Sequence, residues 1–254
     1  MRRGGHSPLT TLTTATHTTP SSPPSAELFD VRPYTPHCQV IQAAGDHALI
    51  GISPGNSYFS AQRVLDLGRW GAESFRRVDI LYTDLYVAEM YEAFGYDPID
   101  AQRKAVKNLR GVRAKVNNAA AALDQGDGTI RARALSEFTD HEAYREIHTR
   151  ILRLLDSDHE FRRICEELAT YFLSTKAAGP STRRQREVCL DYICAEAPLF
   201  LDTPAIFGVP SSLNCYHQLL PMAELLYSRG AGLRASRNQG HAIITPAEGA
   251  PDAR

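Results

Sequence analysis

Two short apolar runs organise the first half of the chain. His47-Ala48-Leu49-Ile50-Gly51-Ile52 is bounded by Ser53-Pro54-Gly55-Asn56, and Val78-Asp79-Ile80-Leu81-Tyr82-Thr83 follows farther along. Runs of this length, closed by turn residues, predict buried strands over 47–53 and 78–83. Between them Tyr58, Phe59, Val64, Leu65 and Leu67 recur at roughly helical spacing, in an amphipathic segment that ends near Phe75. Strand, helix and strand in close succession predict a right-handed β-α-β unit and hence a parallel sheet. Further strands are expected at Ile130–Leu135 and Ala205–Val209, with one or two more in Gly232–Thr245. Most of the remainder has helical periodicity, including a long segment from Glu142 to Ser174. The class is α/β, resembling a Rossmann-type domain, and no repeat is visible.

In such sheets ligands bind at the carboxyl ends of the strands, and Ser53 falls there. Gly51-x-Ser53-x-Gly55 also matches the G-x-S-x-G elbow of serine nucleophiles. If a helix begins just past the serine, its backbone N–H groups would lie near a developing oxyanion. The same residues suit an ordinary turn in which Ser53 caps the helix, and both readings stand open.

Composition bounds the classes. The chain has 254 residues, 43% apolar and 22% charged, with net charge −1, an ordinary globular balance. Five cysteines without a C-x-x-C pair are expected to be reduced and buried, in a cytoplasmic setting. No apolar run approaches the ~20 residues of a membrane helix, so no membrane partner is expected. Thr10–Thr19 holds seven threonines and Pro20-Ser21-Ser22-Pro23-Pro24 follows. Such a stretch buries too little apolar surface to order itself. Residues 1–31 are therefore expected to be a disordered tail, 32–246 a single catalytic domain, and 247–254 a flexible C-terminus.

Tyr192 and Glu196 lie four apart on a segment that reads as helix until Pro198 stops it, so both face one side. Such a pair can bind an ammonium and later take its proton; spacing alone favours a solvated acid near a helix end. Tyr216-His217 follows a serine-rich turn and is expected to open another helix. His217 could complete a Ser–acid–His order or be structural. The histidines show no metal-ligand spacing, and no metal is expected. Between Ala101 and Leu123 there is no acid, yet Arg103, Lys104, Lys107, Arg110, Arg113 and Lys115 are present. Residues 103, 107, 110 and 113 line one helical face. A solvated face is one reading; contact with a nucleic-acid backbone is the other. No aromatic residue is interleaved, which argues against base stacking.

His47-Ala48-Leu49-Ile50-Gly51-Ile52-Ser53-x-Gly55-Asn56-Ser57-Tyr58-Phe59, Tyr192-Ile193-Cys194-Ala195-Glu196-Ala197-Pro198-Leu199-Phe200 and Val209-Pro210-Ser211-Ser212-Leu213-Asn214-Cys215-Tyr216-His217 resemble, in order and spacing, the signatures of the cyclodipeptide synthases. The resemblance covers roughly residues 32–246 and extends to long stretches of the tyrosine-using members, such as Lys104–Asn108 and Leu233–His241. It implies a fold similar to the catalytic domain of class I aminoacyl-tRNA synthetases. No His-Ile-Gly-His type motif, Lys-Met-Ser-Lys-Ser loop or P-loop is present to activate an amino acid, so the substrate should arrive activated.

The resemblance implies aminoacyl-tRNA substrates, no cofactor, no DNA, and Ser53 as nucleophile. It assigns Tyr192 and Glu196 to the α-amino group, Tyr216 to ring closure, and Asn56 and His217 to supporting roles. It assigns the basic helix to tRNA. Leu49, Gly51, Leu81, Leu135, Leu199 and Asn214 match the family's first aminoacyl pocket, and Asn214, an amide at the end of an apolar slot, suits a phenol. Tyrosyl-tRNA is thus the expected substrate, and a downstream tailoring enzyme is a compatible partner. A serine hydrolase of α/β fold and a non-catalytic tRNA-binding protein are the alternatives.

Overall fold

A computed structural model describes Met1 and residues 28–174, 180–228 and 233–249. Most of the expected tail, and residues 250–254 of the expected flexible end, lie outside the described residues.

The elements in chain order are β1 (Phe29–Pro33), α1 (Pro36–Ala44), β2 (His47–Ile52), α2 (Ala61–Ser74), β3 (Arg77–Tyr82), α3 (Val87–Ala93), α4 (Pro98–Leu123), β4 (Ile130–Ala134), α5 (Glu142–Ser157), α6 (His159–Ser174), α7 (Arg183–Phe207), β5 (Ser212–Tyr216), α8 (Pro221–Ser228) and β6 (Gln239–Pro246). One six-stranded sheet has the order β1-β6-β5-β2-β3-β4. All neighbours pair parallel except β1, which runs antiparallel to β6. That edge strand is absent from the sequence-based expectation, because Phe29-Asp30-Val31-Arg32-Pro33 carries charge and proline and reads as a continuation of the tail.

β2 and β3 are buried nearly throughout, which is why they read as continuous apolar runs rather than alternating ones. α2 packs closely on them: a Cβ on Gly71 would lie 3.1 Å from Val78 of β3 and 3.3 Å from Ile50 of β2. Val64, Leu67 and Trp70 fill the space beside that contact, each stabilising the fold by about 2 kcal/mol through apolar burial.

The chain leaves β2 toward β3 and β4 on one side and returns to β5 on the other. The carboxyl ends of β2 and β5 therefore flank the point where strand order reverses, the usual ligand crevice of an open α/β sheet.

Four expectations are corrected. Ala205–Val209 is not a strand: 205–207 belong to α7, which Gly208 ends with φ 64°, and the strand is Ser212–Tyr216. Pro198 does not stop α7 either. The break comes at Asp202 (φ −158°, ψ 62°), whose carboxylate accepts from Ala205 N at 3.2 Å. Pro204 then occupies a first turn, where no N–H is needed. Tyr216 does not open a helix but ends β5. The segment 142–174 is two helices, parted at Asp158, which accepts from Phe161 N at 2.9 Å. In Gly232–Thr245 a single strand forms.

Candidate active site

Ser53 follows the last residue of β2 and opens a turn closed by Asn56 N donating to Ser53 O at 3.3 Å. Pro54 and Gly55 occupy its corners, and Gly55 has φ +71°, a conformation glycine adopts without a Cβ penalty. Asn108 of α4 donates to the Tyr91 hydroxyl of α3, and this pair lies beside Gly55, where a Cβ would be 3.2 Å from Asn108 Nδ2. α2 begins only at Ala61, and Ser60 is its cap, accepting from Arg63 N at 3.1 Å. Ser53 therefore does not cap α2, whose cap is seven residues farther along the chain. The oxyanion arrangement expected from the sequence is not formed by α2.

The hydroxyl of Ser53 is 2.7 Å from that of Tyr216, at the end of β5. Burial pushes the Tyr216 phenol up to about 12, against an opposing pull from the bond to Ser53, so it carries its proton at neutral pH. His217 does not reach Ser53. Its Nε2 accepts from Asn56 Nδ2 at 3.3 Å, and its ring stacks on Tyr58 with centroids 4.3 Å apart. Asn56 Oδ1 in turn accepts from Tyr58 N at 3.0 Å. Burial holds the His217 imidazole below its usual range, which suits a neutral ring accepting from an amide. These contacts shape the loop after Ser53 and do not build a Ser–His dyad.

Tyr192 and Glu196 lie on the face of α7 turned toward these strand ends, half-buried at the cavity wall. Glu196 accepts a hydrogen bond from the hydroxyl of Thr83, the residue after β3, and is hydrogen-bonded to Tyr192. Burial raises the Glu196 carboxyl, and these two bonds only partly offset it. Among the described residues no cationic side chain acts on this carboxylate. Burial of Tyr192, with Glu196 beside it, raises its phenol well above the usual range. An enclosed carboxylate held by two hydroxyls and lacking a cation favours a positively charged visitor.

The cavity, about 500 Å³, is the size of a small-molecule site. Ser53, Asn56, Tyr192, Glu196, Tyr216 and His217 all line it. So do Leu49, Gly51, Leu81, Leu199 and Asn214. Leu135 does not; it is fully buried in the cluster that holds Leu49, Leu81 and Leu199 from behind. The amide of Asn214 is largely engaged: Nδ2 donates to Leu199 O at 2.7 Å and Oδ1 accepts from Thr203 at 3.2 Å. One N–H and one lone pair remain for a guest.

On α4, Arg103, Lys107, Arg110 and Arg113 are exposed, while Lys104 and Lys115 are half-buried. The six cations do not act alike. Arg103 pairs with Asp100 at 3.2 Å. Lys104 lies over the Tyr96 ring, 4.2 Å from its centroid. Arg113 donates to the Tyr82 hydroxyl at 3.0 Å and Lys115 to Phe59 O at 2.7 Å. Lys107 and Arg110 extend from the exposed side.

Sequence reasoning missed Thr83, Tyr91 and Asn108. Thr83 had a signal, as a hydroxyl at the carboxyl end of a buried strand; the other two show only once α3 and α4 are packed. No group of three or more His, Cys, Asp or Glu among the described residues has metal-binding proximity, and no described helix is long and apolar enough to cross a membrane.

Comparison with known proteins bears on this geometry. A model of the family described as cyclodipeptide synthase matches residues 29–246. Cyclo(L-tyrosyl-L-tyrosyl) synthase of Mycobacterium tuberculosis is 60% identical over 228 residues, 89% of this chain and 78% of that protein. Cyclo(L-leucyl-L-phenylalanyl) synthase of Streptomyces noursei is 35% identical over 213 residues, 83% of this chain and 89% of that one. A solved Mycobacterium tuberculosis structure, which relates cyclodipeptide synthetases to type I tRNA synthetases, superposes with a TM-score of 0.82 at 61% identity. It covers 87% of this chain and 94% of its own.

Proposed function

This chain belongs to the cyclodipeptide synthase family, and we propose that it forms cyclo(L-tyrosyl-L-tyrosyl) from two tyrosyl-tRNAs through an acyl-serine at Ser53. The carrying observation is the Ser53–Tyr216 pair in one cavity with Glu196, a carboxylate that no cationic side chain among the described residues offsets. An aminoacyl ester brings that cation as its α-ammonium.

Ser53 Oγ attacks the ester carbonyl of the first aminoacyl-tRNA. The acyl–oxygen bond to the ribose breaks, and the ribose oxygen takes the proton the serine loses. Tyr192 and Glu196 hold the α-amino group of the acyl-enzyme. The amine of the second aminoacyl-tRNA attacks the serine ester, a peptide bond forms, and Ser53 is freed. Ser53 then takes the dipeptidyl group from its tRNA, again releasing a ribose hydroxyl. Finally the terminal amine attacks this second serine ester, closing the ring and restoring the serine. Tyr216, hydrogen-bonded to the serine oxygen, is placed to return a proton to it. The ester supplies the acyl activation at each stage, so no nucleotide is consumed.

The exposed Lys107 and Arg110, with their neighbours on α4, offer phosphate contacts to the tRNA. Leu49, Leu81 and Leu199 give an apolar slot, and the remaining valences of Asn214 meet a phenol. A relative of 60% identity named for tyrosine supports that choice of side chain. The serine-hydrolase alternative needs His217 on Ser53, whereas Ser53 is paired with Tyr216 and His217 with Asn56.

The test is mass spectrometry of the medium after expression in bacteria, wild type beside Ser53→Ala. Cyclo(L-tyrosyl-L-tyrosyl) lost in the variant is the expected result. A different cyclic dipeptide would overturn the pocket assignment. An undiminished yield from the variant would overturn the acyl-serine.

A further inference from the structure

Thr83 lies in none of the three family signatures, yet the sheet register couples it to the nucleophile. β2 and β3 are parallel, with Ile52 opposite Tyr82. The next residues of the two strands are Ser53 and Thr83, so they leave the sheet side by side. Thr83 is buried, 3% exposed, and lines the cavity. Its hydroxyl donates to Glu196 Oε1 and lies within hydrogen-bonding reach of Tyr192.

The charge around Glu196 leaves little else to hold it. Tyr192 and Cys189 face it from α7, Tyr144 from α5 and Tyr216 from β5. Each is a neutral acid, and each is pushed upward, by burial first and then by the charge of Glu196, with Tyr86 also preceding Glu196 for Tyr144. The carboxylate thus depends on hydroxyl donors both for its place and for its ionised state.

We propose that Thr83 is a positioning residue of the reaction: its hydroxyl fixes Glu196 at a set distance from Ser53, so that one strand register places both the acylated oxygen and the anchor of the substrate ammonium. The assignment rests on the proposed role of Glu196. Thr83 forms no bond with the acyl group and acts through the carboxylate alone. A threonine here also explains why its methyl is buried while its hydroxyl points at α7, an arrangement that serine keeps in part and valine loses.

The experiment compares Thr83→Val, Thr83→Ser and Thr83→Ala, with Glu196→Gln and Ser53→Ala as references, by single-turnover acylation and cyclic dipeptide yield across pH. Thr83→Val is expected to lose about 10- to 100-fold in turnover, the scale of a hydrogen bond to a charged group. The acid limb of its pH profile should move upward by about one unit, because the carboxylate has lost a donor. Thr83→Ser should restore the limb and remain within about threefold of wild type. Thr83→Ala removes the hydroxyl without the valine branch and should follow Thr83→Val, which covers the case of a valine variant that fails to fold. An unmoved acid limb in the folded Val or Ala variant, or a Ser variant as impaired as Val, overturns the assignment. Full activity of Glu196→Gln would instead overturn the role of Glu196, so the two failures are told apart.

Discussion

The two ends of the parallel sheet carry similar residues and treat them in opposite ways. At the carboxyl end stand Ser53, Thr83, Tyr216 and, from α7, Glu196. At the amino end stand Ser212, His47, Asp79 and Arg77. By residue type the second set is closer to a Ser–His–Asp triad. His47 Nδ1 is 2.7 Å from Ser212 Oγ, and His47 Nε2 is 3.0 Å from Asp79 Oδ2. Yet His47, Asp79 and Ser212 are all 0% exposed. Arg77 closes the set, donating to Asp79 at 2.8 Å and to Phe207 O at 3.1 Å. Burial holds the His47 imidazole below its usual range, more strongly than Asp79 draws it up. Burial also works to raise Asp79, but its bonds and charges with His47 and Arg77 win, and its carboxyl is lowered. The amino end is a charge-compensated network that ties β2, β3, β5 and the end of α7 through Asp79 Oδ2, while Asp79 Oδ1 has no hydrogen-bond partner among the described residues. The carboxyl end leaves a carboxylate uncompensated beside a cavity. What marks a site here is missing charge and open space, not the identity of the side chains.

The largest effect that tests this contrast sets Glu196→Gln against Asp79→Asn. Glu196→Gln removes a charge that the fold holds at a cost, so product formation should fall by about a hundredfold or more. Its urea midpoint should hold or rise, because a buried charge held by two hydroxyls but by no cation is gone. Asp79→Asn should do the reverse: a loss of about 2–4 kcal/mol of stability, with turnover per folded molecule unchanged. Equilibrium unfolding and cyclic dipeptide yield, measured on both variants, separate the two ends. A large stability loss in Glu196→Gln would break the comparison.

A smaller effect comes from a third kind of buried group. His241 of β6 is 0% exposed, and neither ring nitrogen has a hydrogen-bond partner among the described residues. Burial lowers its imidazole to about 4. The unfolded chain binds a proton at this residue below the ordinary value of about 6.5, whereas the folded chain resists until about 4. Stability is therefore full above the unfolded value and falls as pH drops through the interval. Between pH 7 and pH 5 the loss from this residue should be about 2 kcal/mol. Urea midpoints at the two values should differ less in His241→Gln than in wild type. An unchanged difference would show that the ring is solvated or paired in solution.

Much of this contrast was legible in the sequence at the carboxyl end and little at the amino end. Ser53 announced itself because a buried strand stops there in turn residues, and Tyr192 and Glu196 because helical spacing puts them on one face. The sheet core was readable for the same reason, a continuous apolar run. Thr83, by contrast, gains its meaning only from the β2–β3 register. The Ser212–His47–Asp79 network joins three strands across large sequence separations, which no local pattern encodes. The misread strand at Ala205–Val209 has a related cause. A short apolar run between prolines suits helix or strand equally, and the packing of Ile206 and Phe207 against Leu135 and Phe138 decided it.

The smallest change in stability comes from the most direct test of how the two ends differ, because that test uses the same substitution at both. Ser53→Ala removes the proposed nucleophile from a solvent-reachable turn and should abolish product while leaving the urea midpoint within about 0.5 kcal/mol of wild type. Ser212→Ala removes the hydroxyl that donates to His47 Nδ1, leaving one buried acceptor unpaired at a cost of about 1–2 kcal/mol. It should leave the yield of cyclic dipeptide untouched. Asp79 and Arg77 still bracket the imidazole, so the loss should stay below that of Asp79→Asn, and the double variant should cost less than the sum. If a folded Ser212→Ala protein lost product as Ser53→Ala does, the amino-end network would belong to the chemistry, and the division drawn between the two ends would fail.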